Sequence, residues 1–361
     1  MKLALLGYGT VGRHVRRILE EVPALSSYSI KYILRKPGKA SEPLMTDDYQ
    51  AILTDPEIEA VIDALPAVQP SLRYMMQALS AGKHVVTANK AALCEGFEQL
   101  IETAESNGVS LLYEASCGGT LPVIGEAAAL AEVDEISAVS GILNGTCNYI
   151  LYHMEQEGMD FQDALKSAQA LGYAEADPTA DISGYDVRNK AVLLASTAYR
   201  GFVTKDVPTA GIEQLSKAVL DYFKNEGQCI KLMMLSRRVG SSYAIGVVPT
   251  VLSMHSLEAN VPDNFNIASL TGSYSGELKF YGQGAGGFPT ADAIVRDLLK
   301  LPKTEFRPKQ PLLYDPVLLF GSGFFFSADG FLQHIVEDAP LKTLCEQAKA
   351  ESLFLAFHEA R

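Results

Sequence analysis

The chain has 361 residues, 48% of them hydrophobic and 20% charged, which is the balance of a soluble globular protein with room for two domains of ordinary size. A formal charge of −13 at pH 7 argues against nucleic acid or an anionic membrane as partner, because either needs a dense basic face, although a few local amides and cations still suffice to bind a phosphate. The five cysteines are scattered without a CxxC pair and the six histidines fall in neither HxH nor HExxH, so a zinc or iron enzyme is not expected. The odd thiol count, a Met1 that leads straight into a strand and the lack of a bilayer-length apolar run set the expectation of reduced thiols in a cytoplasmic protein.

Residues 2–7, KLALLG, read as a short strand running into GYGTVG, and VGRHVRRILEEV continues at helical period. Gly7, Gly9 and Gly12 form GxGxxG between a strand and an amphipathic helix, the context in which the pattern signals a dinucleotide. The glycines permit a tight turn, close approach of a pyrophosphate and close strand–helix packing. Thr10 and Val11 fall at the helix N-terminus, which favours the anion. The second strand, SIKYILRK, ends in Arg35 and Lys36, where an NAD-preferring site places an acid for the ribose 2′-hydroxyl. Cations there suit a 2′-phosphate, so NADP is expected, with NAD as the alternative.

A polar loop over about 37–50 follows, then a helix or turn near Ile52 and the strand EAVIDALP. Helix SLRYMMQALSAG, strand HVVTANK, helix LCEGFEQLIETAESNG and strand VSLLYEAS continue a βαβ alternation to about residue 120, the pattern of a doubly wound nucleotide domain. HVVTANK delivers Asn89 and Lys90 to the C-terminal edge of the sheet, where ligands bind in this architecture. CGGTL, from Cys117 to Leu121, is a glycine-rich turn entering a helix. EISAVSGILNGTCNYIL mixes strand and helix, MDFQDALKSAQAL is helical, and QCIKLMMLSRR, SYAIGVVPTVL, FNIASLTGS and ELKFYG read as strands. GQGAGGFPTADAIVRDLLK is a second glycine turn entering a helix, with Pro289 in its first turn, and the late run GSGFFFSADG reads as a buried strand. The expected fold is α/β: a Rossmann-type doubly wound parallel sheet over residues 1–125, completed by about 283–361, and an α+β domain over 126–282.

The stretch Leu171–Lys190, LGYAEADPTADISGYDVRNK, gathers Glu175, Asp177, Asp181, Asp186 and Lys190. Gly172, Pro178 and Gly184 interrupt it, so the acids cannot share one helix. From Asp186 the pattern turns helical, which puts Asp186 and Lys190 on one face. As a solvated acidic loop this would do little, since an exposed pair is worth a few tenths of a kcal/mol. The apolar run after Lys190 points instead to a buried helix, and an amine held among carboxylates is suited to binding an amino acid and moving one proton.

Taken in order, GYGTVG, VVTANKAAL, YEASCGGTLP, GILNGTCNYIL, LGYAEADPTADISGYDVRNK and GQGAGGFPTADA make the chain resemble homoserine dehydrogenase over roughly residues 1–310. The resemblance implies NAD(P)-linked interconversion of L-homoserine and L-aspartate 4-semialdehyde and a homodimer built on the second domain's sheet. It implies Lys190 as the acid/base, Asp186 as the residue that binds substrate and orients Lys190, Asp181 as a further substrate contact, Glu175 as the partner of the substrate ammonium, and Lys90 between nicotinamide and substrate. Gly172 and the loop around Gly284 and Gly286 would close over the cofactor. Main-chain carbonyls of Glu114, Cys117, Gly119 and Leu121 match a loop that binds a monovalent cation such as sodium or potassium. The tail is too short for the two-part regulatory domain of many bacterial members, so threonine feedback through such a domain is not expected.

Burial favours a neutral lysine while a neighbouring carboxylate favours the charged one, so the chemistry of Lys190 depends on its surroundings. A second reading is a phosphorylating semialdehyde dehydrogenase in which Cys117, in a glycine-rich turn before a helix, attacks the aldehyde. A third is a sensor that binds dinucleotide without turnover, for which the acid–lysine stretch would have no use.

Overall fold

The computed structural model describes residues 1–39, 42–302, 308–309 and 311–360. The chain divides into two compact units, Met1–Ala128 with Ala285–Arg307 and Ala129–Gly284 with Pro308–Arg361. The elements begin β1 (Lys2–Leu6), α1 (Thr10–Glu21), β2 (Ser29–Leu34), β3 (Met45–Thr46), α2 (Tyr49–Thr54), β4 (Ile58–Asp63), α3 (Val68–Ser80), β5 (His84–Thr87), α4 (Lys90–Ser106), β6 (Leu111–Leu112) and α5 (Val123–Val133). The six strands are parallel, in the order β3-β2-β1-β4-β5-β6. That is the doubly wound order, with its switch point between β1 and β4. The centre of such a sheet is covered on both faces and so reads as an unbroken apolar run; Leu3, Ala4, Leu5 and Leu6 are all fully buried. The segment expected to be a polar loop over 37–50 contains β3 and the start of α2, whose N-cap Asp48 accepts from the amides of Gln50 and Ala51.

The chain continues with β7 (Ile136–Ile142), α6 (Gly145–Glu157), α7 (Phe161–Ala170), α8 (Thr179–Ile182), α9 (Tyr185–Tyr199), α10 (Lys217–Asn225), β8 (Gln228–Val239), β9 (Ser242–Ser253), β10 (Phe265–Gly272), β11 (Gly276–Gln283), α11 (Gly287–Lys300), β12 (Leu313–Tyr314), β13 (Phe320–Phe326), β14 (Leu332–Pro340), α12 (Leu341–Glu351) and β15 (Phe354–Glu359). A nine-stranded mixed sheet runs β11-β10-β7-β8-β9-β15-β13-β14, with β12 beside β9. Helix α9 packs on β7, β8 and β9 and is buried over Lys190–Tyr199. This is why the part after Lys190, AVLLASTAY, carries no charge on any face.

One expectation needs correction. The segment of about 283–361 was expected to complete the nucleotide unit, but among its described residues only Ala285–Pro302 belong there. Ala291, Ile294 and Leu298 of α11 join the core that contains Leu3, Leu5 and Val15. Residues from Pro308 onward belong to the second unit because β15 pairs with β13 and reaches β9 at Phe357↔Thr250. The run GSGFFFSADG supplies β13, with Phe325 and Phe326 fully buried.

The second unit also contains a buried lysine at 1% exposure, Lys231 of β8. Its Nζ donates to Asn148 Oδ1 and to the Val261 carbonyl, both at 2.9 Å. Asn148 Nδ2 donates in turn to the carbonyls of Val261, Asp263 and Phe265, so the chain entering β10 is fastened to α6. Burial pushes the Lys231 ammonium toward its neutral form, and neutral acceptors compensate only in part. Lys231→Met keeps the stem but strips two buried acceptors of a donor; a loss of about 2 kcal/mol is expected, read as a lower urea midpoint. A midpoint equal to that of the native chain would show that Asn148 alone holds the segment.

Candidate active site

The first turn of the nucleotide unit is built by exclusion. Gly7 has φ of +94°, and a Cβ there would sit 2.8 Å from the Ala64 carbonyl oxygen. At Gly12 a Cβ would sit 2.3 Å from the Gly7 carbonyl oxygen, so only glycine lets α1 pack this close to β1. Gly9 caps α1 without a side-chain hydrogen bond, and no acid lies in the first turn. A Cβ on Gly9 would meet nothing within 4 Å, so packing does not explain that glycine, whereas close approach of a phosphate to the amides of Thr10 and Val11 does. Gly287 lies against the same helix: a Cβ there would sit 2.7 Å from Thr10 Cγ2, which brings the turn after Gly286 beside the phosphate loop. Arg35 follows β2, and its Nη1 donates to the Tyr8 carbonyl at 3.0 Å. Its Nε is buried with no hydrogen-bond partner, a donor available to an anion, while Lys36 is exposed. These residues fit a nicotinamide dinucleotide.

At the ends of β4 and β5 the sheet carries a polar clamp that residue patterns alone do not reveal. Asp63, fully buried, accepts from Ser71 Oγ at 2.6 Å, Thr87 Oγ1 at 2.9 Å and the Leu65 amide at 3.2 Å. Asn89 caps α4 through Oδ1, and its Nδ2 donates to the carbonyls of Leu65 and Ala67 at 2.9 and 2.8 Å. Together they fix both strand ends and hold Lys90 at the first position of α4, partly exposed.

In the second unit the structure brings together three of the candidate residues. Lys190, 8% exposed, donates from Nζ to Asp186 Oδ2 and to the Leu143 carbonyl, both at 2.6 Å. Asp186 is 6% exposed. Asn144 Nδ2 donates to the same Asp186 oxygen at 2.8 Å and to Asp181 Oδ1 at 2.7 Å. Helix α8 carries Asp181 and α9 carries Asp186 and Lys190, while the end of β7 leads into Leu143 and Asn144. Three separate segments therefore converge on one bonded cluster. Glu175 is exposed in the turn after α7, where its carbonyl accepts from Gln169 Nε2, and its side chain stands apart from the bonded set. Gly172, with φ of +78°, ends α7. Asn144 and the Leu143 carbonyl belong to this site although only the motif GILNGT, and no property of either residue, flagged them. The signal available was an asparagine between a strand and a helix.

The candidate cation loop turns through a 3-10 helix at Glu114–Ser116 and two successive left-handed glycines, Gly118 at φ +74° and Gly119 at φ +64°. The Glu114 carboxylate accepts from the amides of Ile124 and Gly125 at 2.9 Å each, and the Glu114 amide donates to Asp297 Oδ2 at 2.8 Å. The carbonyls of Glu114, Cys117, Gly119 and Leu121 are neutral hard-oxygen donors, the type an alkali cation accepts. The Cys117 thiol is itself fully buried, which leaves an aldehyde no approach to it.

A 3-2-1-4-5-6 sheet with a phosphate loop, together with a separate buried carboxylate–lysine centre, is the equipment of an NAD(P)-dependent oxidoreductase. Residues 122–299 match the homoserine dehydrogenase family, and residues 7–114 match the homoserine dehydrogenase NAD-binding domain. The homoserine dehydrogenase of Synechocystis is 37% identical over 316 residues, covering 83% of this chain and 73% of that protein. The solved homoserine dehydrogenase from Thiobacillus denitrificans superimposes with a TM-score of 0.87 at 28% identity, over 99% of this chain and 98% of that one. A hyperthermophilic archaeal homoserine dehydrogenase solved in complex with NADPH shares the fold, with a TM-score of 0.70 at 22% identity over 83% of this chain and 96% of that one. The chain belongs to the homoserine dehydrogenase family.

Burial raises the Asp63 carboxyl to about 6, against opposing hydrogen bonds from Ser71, Thr87 and the Leu65 amide. The native state then keeps a proton that the unfolded chain releases near 4. That contribution to stability is fully present below about 4 and is lost as pH rises through about 6, a change on the order of 3 kcal/mol. Asp63→Asn removes this titration, so the difference in thermal midpoint between variant and native chain should change between pH 4 and 7 and level off above. A difference that stays flat across that range would contradict the raised carboxyl.

Proposed function

We propose that this chain interconverts L-homoserine and L-aspartate 4-semialdehyde, with Lys190 exchanging the proton on the substrate oxygen. The observation that carries the reading is an amine held at 2.6 Å by both a carboxylate and a carbonyl just past the C-terminal end of β7, nearly dry yet 8% exposed. A nicotinamide dinucleotide held at the Gly7–Gly12 loop would supply the hydride chemistry. In oxidation the neutral amine of Lys190 takes the hydroxyl proton as hydride leaves the same carbon. In reduction the ammonium returns that proton to the forming alkoxide. Asp186 orients the amine and, with Asp181, faces the substrate, while the exposed Glu175 receives the substrate ammonium. In the nucleotide unit Lys90 supplies fixed positive charge at the ligand end of the first sheet.

Arg35 supports NADP over NAD, because a buried guanidinium nitrogen without a partner suits a 2′-phosphate. The oxygen-only donor set of Glu114, Cys117, Gly119 and Leu121 supports a monovalent cation. A homodimer through the second sheet and a cytoplasmic location complete the reading; among the described residues no helix is long and apolar enough to cross a membrane.

Two measurements test it. NADPH consumption with L-aspartate 4-semialdehyde should be rapid for the native chain and fall roughly 100- to 10,000-fold in Lys190→Ala; absence of turnover in the native chain would refute the substrate, and turnover surviving in the variant would refute the role of Lys190. Arg35→Ala should raise KM for NADPH roughly 10- to 100-fold and leave KM for NADH nearly unchanged. Equal effects on the two cofactors would refute the 2′-phosphate contact.

A further inference from the structure

Asn144, 4% exposed, is the N-cap of α6, with its Oδ1 accepting from the Cys147 amide at 2.7 Å. Capping occupies the oxygen alone. Nδ2 faces two carboxylates and donates to Asp181 Oδ1 at 2.7 Å and Asp186 Oδ2 at 2.8 Å. The Asp186 oxygen is the one that also accepts from Lys190 Nζ at 2.6 Å. Helix capping alone does not select asparagine here, since aspartate and serine cap as well. Among these short side chains, only asparagine adds a neutral group with two hydrogens to give.

The geometry points to Asn144 as a positioning residue for proton transfer: one amide bridges Asp181 and Asp186 and thereby fixes the Asp186 oxygen against Lys190. This rests on the reading of Lys190 as the group that exchanges the proton. Two carboxylates that share a donor repel each other less, and Asp186 Oδ2, held by Asn144 on one side, meets the lysine from the other. Leu143, the preceding residue, supplies the carbonyl that takes a second hydrogen of the amine. One dipeptide thus sets both the acceptor and the orientation of the carboxylate partner. Cys147 on α6 and Glu213 in the segment between α9 and α10 are further titratable groups beside this cluster. The Cys147 thiol donates to the Asp181 carbonyl at 3.2 Å and, buried among these acids, is held well above its usual range.

The test compares Asn144→Asp and Asn144→Ser with the native chain and Lys190→Ala, all as full-length protein. Asn144→Asp keeps shape and cap but replaces both donors with a third carboxylate oxygen. Asn144→Ser keeps a cap and is too short to bridge. Both should retain NADPH affinity and lose roughly 10- to 100-fold in kcat, with the thermal midpoint lowered more in Asn144→Asp, which buries a third carboxylate beside two others. In Asn144→Asp the limb of the pH–rate profile that reports the amine should also move to higher pH, because added negative charge holds the proton on it; in Asn144→Ser that limb should stay in place. Native kcat in both variants, or a lowered midpoint with native kcat and pH profile, would reduce Asn144 to a helix cap and overturn the proposal while the reading of Lys190 stands. Turnover that survives in Lys190→Ala would instead overturn that reading, and this proposal with it.

Discussion

The second unit is arranged around one amine kept out of water. Removing a lysine from solvent costs several kcal/mol unless its hydrogens are taken up by well-placed acceptors. Lys190 meets that demand with a carboxylate one helical turn away and a carbonyl contributed by a different element. The i,i+4 spacing on α9 guarantees the first contact whatever else the chain does. The second exists only because β7 ends at Ile142 and the chain turns there into α6. The order of strands in the nine-stranded sheet, with β7 between β10 and β8, and the docking of α9 on that sheet are therefore conditions for the amine's geometry.

Burial alone does not mark a lysine as an acid/base, and this chain contains the control. Lys231 is more deeply buried than Lys190, and the acceptors of its ammonium, Asn148 Oδ1 and the Val261 carbonyl, are neutral groups of the same fold. Nothing can reach it at 1% exposure, and its bonds are spent on fastening the entry to β10. Lys190 differs in having a carboxylate partner, a bridging amide behind that partner and a residual opening to solvent. The difference between a structural and a chemical lysine lies in the second layer of contacts.

That layer also separates what the sequence discloses from what it conceals. Strand β1, the phosphate loop and α1 are local: glycine spacing and helical period identify them, and the sheet needs only strand order to complete them. Asp186 and Lys190 are equally local, one turn apart. By contrast Asn144 lies 42 residues from Asp186 and 37 from Asp181, and Asp63 lies 24 from Thr87, so no window of sequence shows them meeting. The last 54 residues escaped assignment to the correct unit for a related reason. Pairing of β15 with β9 is non-local, at Phe357↔Thr250, and an apolar strand such as β13 says that it is buried without saying in which sheet.

The two units solve a shared problem with the same residue. At each sheet edge a strand gives way to a helix through an asparagine whose Oδ1 caps the helix: Asn89 accepts from the Ala92 amide before α4, and Asn144 accepts from the Cys147 amide before α6. In both the Nδ2 hydrogens are free of the capping task and fasten a neighbouring segment, the carbonyls of Leu65 and Ala67 in one case and the carboxylates of Asp181 and Asp186 in the other. Serine or aspartate would start either helix as effectively, but neither would tie the helix start to the loop beside it. A site whose groups come from different elements needs such ties, because misplacement by an ångström is costly to a proton or hydride transfer. Asparagine at a strand-to-helix junction is thus a sequence signal with a structural meaning: it marks where the fold joins two segments that must keep a fixed distance, and here both junctions stand next to a candidate catalytic lysine.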